Sequence, residues 1–163
     1  MTVIVPGRDI AAFAPAALDS LRAQTMPDWR AILVDDGSAD DTGALFDAAA
    51  NEDPRFTVLR HTEARGLGGA RNAALELVDT EYLGFLDGDD ELAPTALERM
   101  TGTLAATGSD FVAGAYVRSR WDGERYVAGR VQPWVSAATD PERLATTIFA
   151  HPAASANIVA WSK

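Results

Sequence analysis

The sequence predicts an α/β domain built on a mostly parallel central sheet. Short apolar runs alternate with segments of helical periodicity from residue 2 to about residue 117. The apolar runs are nearly continuous, as in strands that are buried on both faces. Acidic or glycine-rich groups directly follow three of them. This is the pattern of an open α/β sheet, which binds ligands at the carboxyl ends of its strands.

Length and composition are those of one globular domain. The chain has 163 residues, 47% of them hydrophobic, and no run approaches the roughly 18 apolar residues of a membrane span. There is no cysteine, which excludes disulfides and thiolate metal sites, and two histidines are too few for a histidine-rich zinc site. A net charge of −10 disfavours nonspecific nucleic-acid binding. No basic leader is visible, and we expect a cytoplasmic protein.

The first strand covers residues 2–5, and Pro6 ends it. Asp9 is a candidate N-cap for the helix that follows, although Pro15 is typical of a first turn and would place the start later. A second apolar run, residues 29–34, predicts the next strand.

Ser38 and Asp41 have the spacing of a capping box, which predicts a helix from about Ala39. Residues 56–59 form the third strand. The glycine-rich run 66–69 then leads into a helix. Its predicted apolar face is Ala70, Ala73, Ala74 and Leu77.

Residues 82–86 form a fourth strand whose dense apolar character places it in the middle of the sheet. Pro94 is expected in the first turn of the next helix, and Gly108 ends that helix. The remaining predictions are a fifth strand at 110–117, a hairpin turn at 121–124 and a short helix at 141–149, with weak local signals from 151 to 163.

The densest chemistry follows the fourth strand, at Asp87-Gly88-Asp89-Asp90. Asp87 and Asp89 flank a residue without a side chain, so both carboxylates can reach one point while the backbone approaches a ligand. Carboxylate oxygens suit a hard cation such as Mg²⁺ or Mn²⁺. The alternative is structural, because Asp-Gly is a common turn dipeptide and Asp90 could cap the next helix.

The other strand exits add donors and acceptors at the same edge of a parallel sheet. Pro6-Gly7-Arg8-Asp9 follows the first strand and Asp35-Asp36-Gly37-Ser38 the second. Arg71, just inside the glycine-rich helix, can pair with an anion through two donors, and the start of that helix can face phosphate. Each has a plainer interpretation as a turn, a cap or a solvated charge, and His61 is more often a loop residue than a ligand.

Five blocks of the chain together resemble family 2 glycosyltransferases. These are residues 2–6, 18–25, 33–42, 69–74 and 81–90, and their order and spacing agree with the family from residue 2 to about residue 105. The resemblance implies the GT-A fold, a nucleotide-binding three-layer α/β sandwich. It also implies transfer of a sugar from a nucleotide-diphosphate-sugar donor to an acceptor (a saccharide, lipid or polymer), usually with Mg²⁺ or Mn²⁺ and with inversion.

The resemblance also implies roles for individual residues. Pro6, Gly7 and Arg8 would line the nucleoside pocket, and Asp35 matches the acid that contacts the base. Arg71 falls in the block 69–74, which lies near the nucleotide, and Gly68 directly before that block is also expected to bind the nucleotide-sugar. Asp87 and Asp89 match the two acids of the Asp-any-Asp motif, with Asp89 as metal ligand, Asp87 towards ribose or metal, and Gly88 between them.

Two departures from the family pattern affect these expectations. An aromatic residue and an asparagine usually follow Pro6, whereas this chain has Gly7-Arg8-Asp9, so Arg8 could meet the diphosphate directly. The family's general base lies further along, and Asp140 and Glu142 are better explained as helix-start residues. We therefore expect residues 1–163 to be one domain truncated on the acceptor side. Its catalytic residue is unknown, and the full-length protein could associate with a membrane.

Two other functions compete with glycosyl transfer. A noncatalytic nucleotide-sugar binding module would share the whole pocket and differ only in turnover. A nucleotidyltransferase on a related sandwich would carry a longer glycine-rich and basic loop after the first strand than Gly7-Arg8 provides.

Overall fold

The computed structural model describes residues 1–114, 116–121, 126–131 and 159–162. Strands and helices alternate along most of the chain. The elements are β1 (Thr2–Gly7), α1 (Ala14–Arg22), β2 (Arg30–Asp36), α2 (Thr42–Glu52), β3 (Phe56–His61), α3 (Gly66–Leu75), β4 (Tyr82–Phe85), α4 (Ala96–Thr107), β5 (Phe111–Ala113), β6 (Val117–Trp121), β7 (Tyr126–Val131) and β8 (Val159–Ser162).

The main sheet has the strand order β3-β2-β1-β4-β8-β5. The first four strands are parallel, and β8 runs antiparallel between β4 and β5. The predicted α/β architecture with a mostly parallel sheet is confirmed. The strand order reverses between β1 and β4, and in open α/β sheets ligands bind beyond the carboxyl ends of the strands at such a point.

Two hydrophobic cores cover the two faces of the sheet and make three layers. The first joins α1, α2 and α4 to one face, with Leu21, Phe46 and Leu104 fully buried. The second is smaller and joins α3 to the other face through Ala70 and Ala74. The small side chains let α3 lie close to β1 and β2, and Ala70 and Ala74 belong to its predicted apolar face. Leu77, expected on the same face, lies beyond the helix and is 52% exposed.

Several predicted helix starts are wrong. α1 begins at Ala14 with Phe13 as its N-cap, and Pro15 stands in its first turn, so Asp9 is not the cap. α2 begins at Thr42 without a side-chain cap, so the predicted capping box does not form. Pro94 precedes α4, which begins at Ala96.

The C-terminal part of the chain is only partly described. Gly108 ends α4 in the left-handed conformation (φ 65°), as predicted. The predicted strand at 110–117 is divided, because β5 ends at Ala113 and Val117 opens a separate two-stranded sheet. Its two strands are antiparallel, with Trp121 paired to Tyr126, and the turn predicted at 121–124 lies, beyond Trp121, outside the described residues. The sequence did not predict β8, and the predicted helix at 141–149 lies outside the described residues.

Candidate functional site

A cleft of about 330 Å³ opens at the carboxyl ends of β1 and β4, where the strand order reverses. Three segments, the loop after β1, the loop after β4 and the start of α3, supply nearly all of its walls. The lining residues are Pro6, Gly7, Arg8, Ile10, Asp36, Gly66, Leu67, Ala70, Asp87, Gly88 and Asp89. Six of the predicted site residues line this cleft: Pro6, Gly7, Arg8, Asp87, Gly88 and Asp89.

Backbone pairing between β1 and β4 continues beyond the end of β4 and fixes the floor of the cleft. The N–H of Leu86 donates to the carbonyl of Ile4 at 3.0 Å, and that of Gly88 donates to the carbonyl of Pro6 at 3.1 Å. A Cβ at Gly88 would lie 3.0 Å from the Pro6 carbonyl oxygen and would collide with Ile10. Glycine at this position thus allows the loop after β4 to lie close to the loop after β1.

The two acids on either side of Gly88 have different environments. Asp87 is partly buried, and its Oδ1 accepts a hydrogen bond from Nη2 of Arg71. The Arg71 guanidinium also lies 5.3 Å from the ring centroid of Phe85, which restricts its orientation. Asp89 is exposed. Arg71 does not line the cleft itself, but it bonds Asp87, which does. Asp89 is the more accessible of the two carboxylates.

Asp35 lies at the same sheet edge but takes part in a different network. Its carboxylate accepts the Ser38 N–H at 3.0 Å and the Nε of Arg60 at 3.1 Å. Arg60 also donates to the Gly43 carbonyl at 3.0 Å and to Asp47 at 3.1 Å. These contacts tie β2 and β3 to α2. The base contact implied for Asp35 stays a prediction.

Asp36, which the sequence did not single out, lines the cleft. Successive side chains of a strand point to opposite faces, so only one of the two acids can face α3. Burial alone would raise the pKa of the Asp36 carboxyl, but hydrogen bonds from the Arg65 N–H, from His61 and from the Gly66 N–H outweigh burial and lower that pKa. His61, expected to be a loop residue, ends β3 and is buried.

The loop after β1 is fastened to the loop after β2 by reciprocal hydrogen bonds. Asp9 donates its N–H to Ser38 Oγ at 3.1 Å and accepts the Ala39 N–H at 2.7 Å. Asp9 has a positive φ of 53°, which aspartate tolerates better than most residues. Ala11 adds a bond to Asp40 at 2.9 Å. Gly7 is paired with Asp35 in the sheet, so the backbone is anchored on both sides of Arg8, while the Arg8 side chain is 57% exposed beside the cleft.

The glycine-rich run belongs to α3 itself and not to a loop before it. Gly66 opens the helix with a positive φ of 74°, a conformation that favours glycine. Gly68 lies in the first turn, is exposed and does not line the cleft, and a Cβ there would meet nothing within 4 Å. The contact between Gly68 and a nucleotide stays a prediction.

Among the described residues, no group of three or more histidine, cysteine or acidic side chains is placed to hold a metal ion. Asp87 and Asp89 still share one cleft. Their hard oxygen atoms fit Mg²⁺ or Mn²⁺, and Mg²⁺ commonly takes one or two carboxylates and fills its other positions with water and substrate phosphates. Within the described ranges, no helix is long and apolar enough to cross a membrane.

The fold is an open α/β sheet with a cleft at its strand reversal, and comparison with known proteins identifies the family. A family model described as "Glycosyl transferase family 2" matches residues 2–158. The chain belongs to glycosyl transferase family 2. The uncharacterized glycosyltransferase EpsJ of Bacillus subtilis (strain 168) is 31% identical over 132 residues, which are 81% of this chain and 38% of EpsJ.

Solved structures share the architecture. The mannosyltransferase PcManGT from Pyrobaculum calidifontis, in complex with GDP-Man and Mn²⁺, has a TM-score of 0.64 and 29% identity over 69% of this chain and 34% of its own. S. aureus TarS 1-349 in complex with UDP-GlcNAc has a TM-score of 0.64 and 26% identity over 77% and 36%. The chain therefore has the GT-A fold, and it spans just over a third of the length of EpsJ, of PcManGT and of the TarS 1-349 fragment.

Proposed function

We propose that this chain forms the donor-binding part of a metal-dependent, inverting glycosyltransferase that takes a sugar from a nucleotide-diphosphate-sugar. The observation that carries the proposal is the convergence of Pro6-Gly7-Arg8 and Asp87-Gly88-Asp89 on one cleft at the β1/β4 reversal. The donors bound by PcManGT and TarS support it, since both are nucleoside-diphosphate sugars on the same fold.

The residues of the cleft divide the work on the donor. Asp89 would hold Mg²⁺ or Mn²⁺, with Asp87 beside it, and a bound cation would neutralise charge that develops on the diphosphate leaving group. Arg71 restrains Asp87 and offsets its charge. Arg8 is anchored at its backbone, and its exposed side chain lies beside the cleft with its Nε 3.6 Å from Asp9 Oδ2, so it can reach an anion in the cleft. The Arg8 guanidinium would add its positive charge to that of the bound cation, where the acidic protein would otherwise repel the donor.

The acceptor side of the reaction is not assigned to residues. The acceptor would be a saccharide, lipid or polymer, and the general base would be an acid on a segment beyond the cleft described here. Asp140 and Glu142 lie outside the described residues. We propose a cytoplasmic location with membrane association of the full-length protein.

Calorimetric titration of UDP and GDP, each with and without Mn²⁺, tests the proposal. At least one nucleotide should bind, and Mn²⁺ should strengthen binding about tenfold or more. Asp89→Asn should remove the Mn²⁺ effect. Asp28→Asn is the matched control, because it changes an exposed aspartate at the opposite end of the sheet, before β2. A nucleotide Kd that changes neither with Mn²⁺ nor with Asp89→Asn would refute the metal-dependent function.

A noncatalytic binding module is the second candidate, because no general base is assigned to the proposed donor cleft. The two candidates predict the same titration. They differ in turnover: release of UDP or GDP from a sugar donor by the full-length protein with its acceptor supports the enzyme, and tight binding without release supports the module.

A further inference from the structure

A buried pair of polar side chains, Asp36 and His61, lies against the start of α3, and donor binding does not by itself require it. Asp36 and His61 are register partners at the carboxyl ends of β2 and β3, and they are 3% and 6% exposed. The Nδ1 of His61 donates to Asp36 Oδ1 at 2.7 Å. The Nε2 of His61 is buried and has no hydrogen-bond partner among the described residues.

The carboxylate of Asp36 caps a helix that begins 30 residues later. Oδ1 accepts the N–H of Arg65 and Oδ2 accepts the N–H of Gly66, each at 2.8 Å. Arg65 is the N-cap residue of α3 and forms no side-chain cap of its own. A negative charge at a helix start is also favoured by the helix dipole. Asp36 thus does for α3 what a local cap does for other helices.

The position of α3 determines one wall of the cleft. Leu67 and Ala70 line the cleft, and one residue further on Arg71 holds Asp87. Against the sheet, α3 buries mainly Ala70 and Ala74, and each of these side chains contributes only the small apolar area of one methyl group. Polar contacts at the helix start therefore carry much of the placement of this helix.

We infer that Asp36 and His61 are positioning residues of the donor cleft. Asp36 fixes the start of α3, His61 orients Asp36, and α3 in turn places Arg71 and the Asp87 carboxylate. The inference rests on the proposed function for what the cleft binds. It has a consequence for that ligand: the N–H groups of Arg65 and Gly66 are already taken by a carboxylate, so a diphosphate must be met by other groups.

Four variants of the 163-residue chain separate this role from general stability. Asp36→Asn keeps the size of the side chain but sets an amide N–H against the N–H groups at the helix start. His61→Leu removes the donor to Asp36, whereas His61→Asn restores an N–H close to the position of Nδ1. Asp53→Asn is the matched control, because Asp53 likewise accepts a backbone N–H, that of Arg55 at 3.0 Å, before the start of β3 at the other end of the sheet.

Hydrogen exchange of the amides of residues 70–75, with those of α4 as internal reference, gives a readout without any ligand. Asp36→Asn and His61→Leu should speed exchange in α3 about tenfold relative to α4, and should raise the Kd of UDP or GDP with Mn²⁺ by about tenfold. His61→Asn should stay within about threefold of wild type in both. Asp53→Asn should leave the ratio of α3 to α4 exchange and the Kd unchanged.

Unchanged exchange in α3, or equal acceleration in α3 and α4, would overturn the inference. So would faster exchange in α3 with an unchanged nucleotide Kd, because the cleft would then not depend on this helix start. If Asp36→Asn does not fold, the comparison of His61→Leu with His61→Asn decides in its place. If the wild-type chain binds neither UDP nor GDP, the proposed function fails, and the exchange ratios alone decide whether the pair fixes α3.

Discussion

Replacement of Gly88 by alanine should weaken both the fold and nucleotide binding. The new Cβ would lie 3.0 Å from the carbonyl oxygen of Pro6, which is tighter than an ordinary contact, and would collide with Ile10. Ile10 meets it with the flexible end of its side chain and can rotate away. The Pro6 carbonyl belongs to β1, so relief requires the loop after β4 to move outward by a few tenths of an ångström.

Two terms set the size of this effect. Insertion of a methyl group into a packed site costs about 1–3 kcal/mol. The bond from the Gly88 N–H to the Pro6 carbonyl would lengthen, at a cost of up to about 1 kcal/mol. We therefore expect the free energy of unfolding to fall by about 1–4 kcal/mol. Because Asp87 and Asp89 move with the same loop, the Kd for nucleotide should rise about tenfold.

Urea denaturation and calorimetric titration of UDP or GDP with Mn²⁺ measure the two quantities on the same sample. Gly102→Ala is the matched control, because a Cβ at this exposed position inside α4 meets nothing within 4 Å. It should stabilise the protein by up to about 1 kcal/mol and leave the Kd unchanged. Wild-type stability and affinity in Gly88→Ala would show that β1 and β4 are not held together as described.

Three further predictions concern the edge of the sheet. The pKa of Asp36 is lowered in the folded protein, so its ionised carboxylate contributes fully to stability above the unfolded-state pKa of about 3.9. This contribution is lost as the pH falls through the lower folded-state pKa. Asp36→Asn should therefore reduce the dependence of the free energy of unfolding on pH in urea melts at pH 2–6. Arg60→Met leaves the buried carboxylate of Asp35 without its guanidinium partner and should lower the free energy of unfolding by about 1–3 kcal/mol, whereas loss of less than about 0.5 kcal/mol would contradict the network. Gly37→Ala should lower the free energy of unfolding by at least about 1 kcal/mol in the same assay. Gly37 has a φ of 70°, and a Cβ there would lie 2.9 Å from the backbone nitrogen of Ala64. An unchanged free energy of unfolding would exclude that backbone geometry.

The central strands and the place of the site could be predicted because local pattern and tertiary role agree there. Dense apolar runs mark β1, β2 and β4, which are buried on both faces. Once the strands are parallel, their carboxyl ends must share an edge, which brings residues 6–8 and 87–89 together without any knowledge of side-chain contacts.

The remaining details depend on partners that are remote in sequence. Asp9 and Ser38 have the chemistry of helix caps, but each bonds the other's loop, so local capping rules placed both helix starts too early. The choice between Asp35 and Asp36 depends on which face of β2 α3 covers, and adjacent acids carry no local signal for this. His61 was missed because its partner Asp36 is 25 residues away.

The bonds that join Asp9 to Ser38 and Ala39 have a thermodynamic consequence for the approach of a ligand. A loop already held in place loses little conformational freedom when a molecule docks beside it, so the entropic penalty falls chiefly on the exposed Arg8 side chain. We expect the backbone of residues 7–11 to coincide in empty and occupied protein, with the guanidinium of Arg8 as the group that moves.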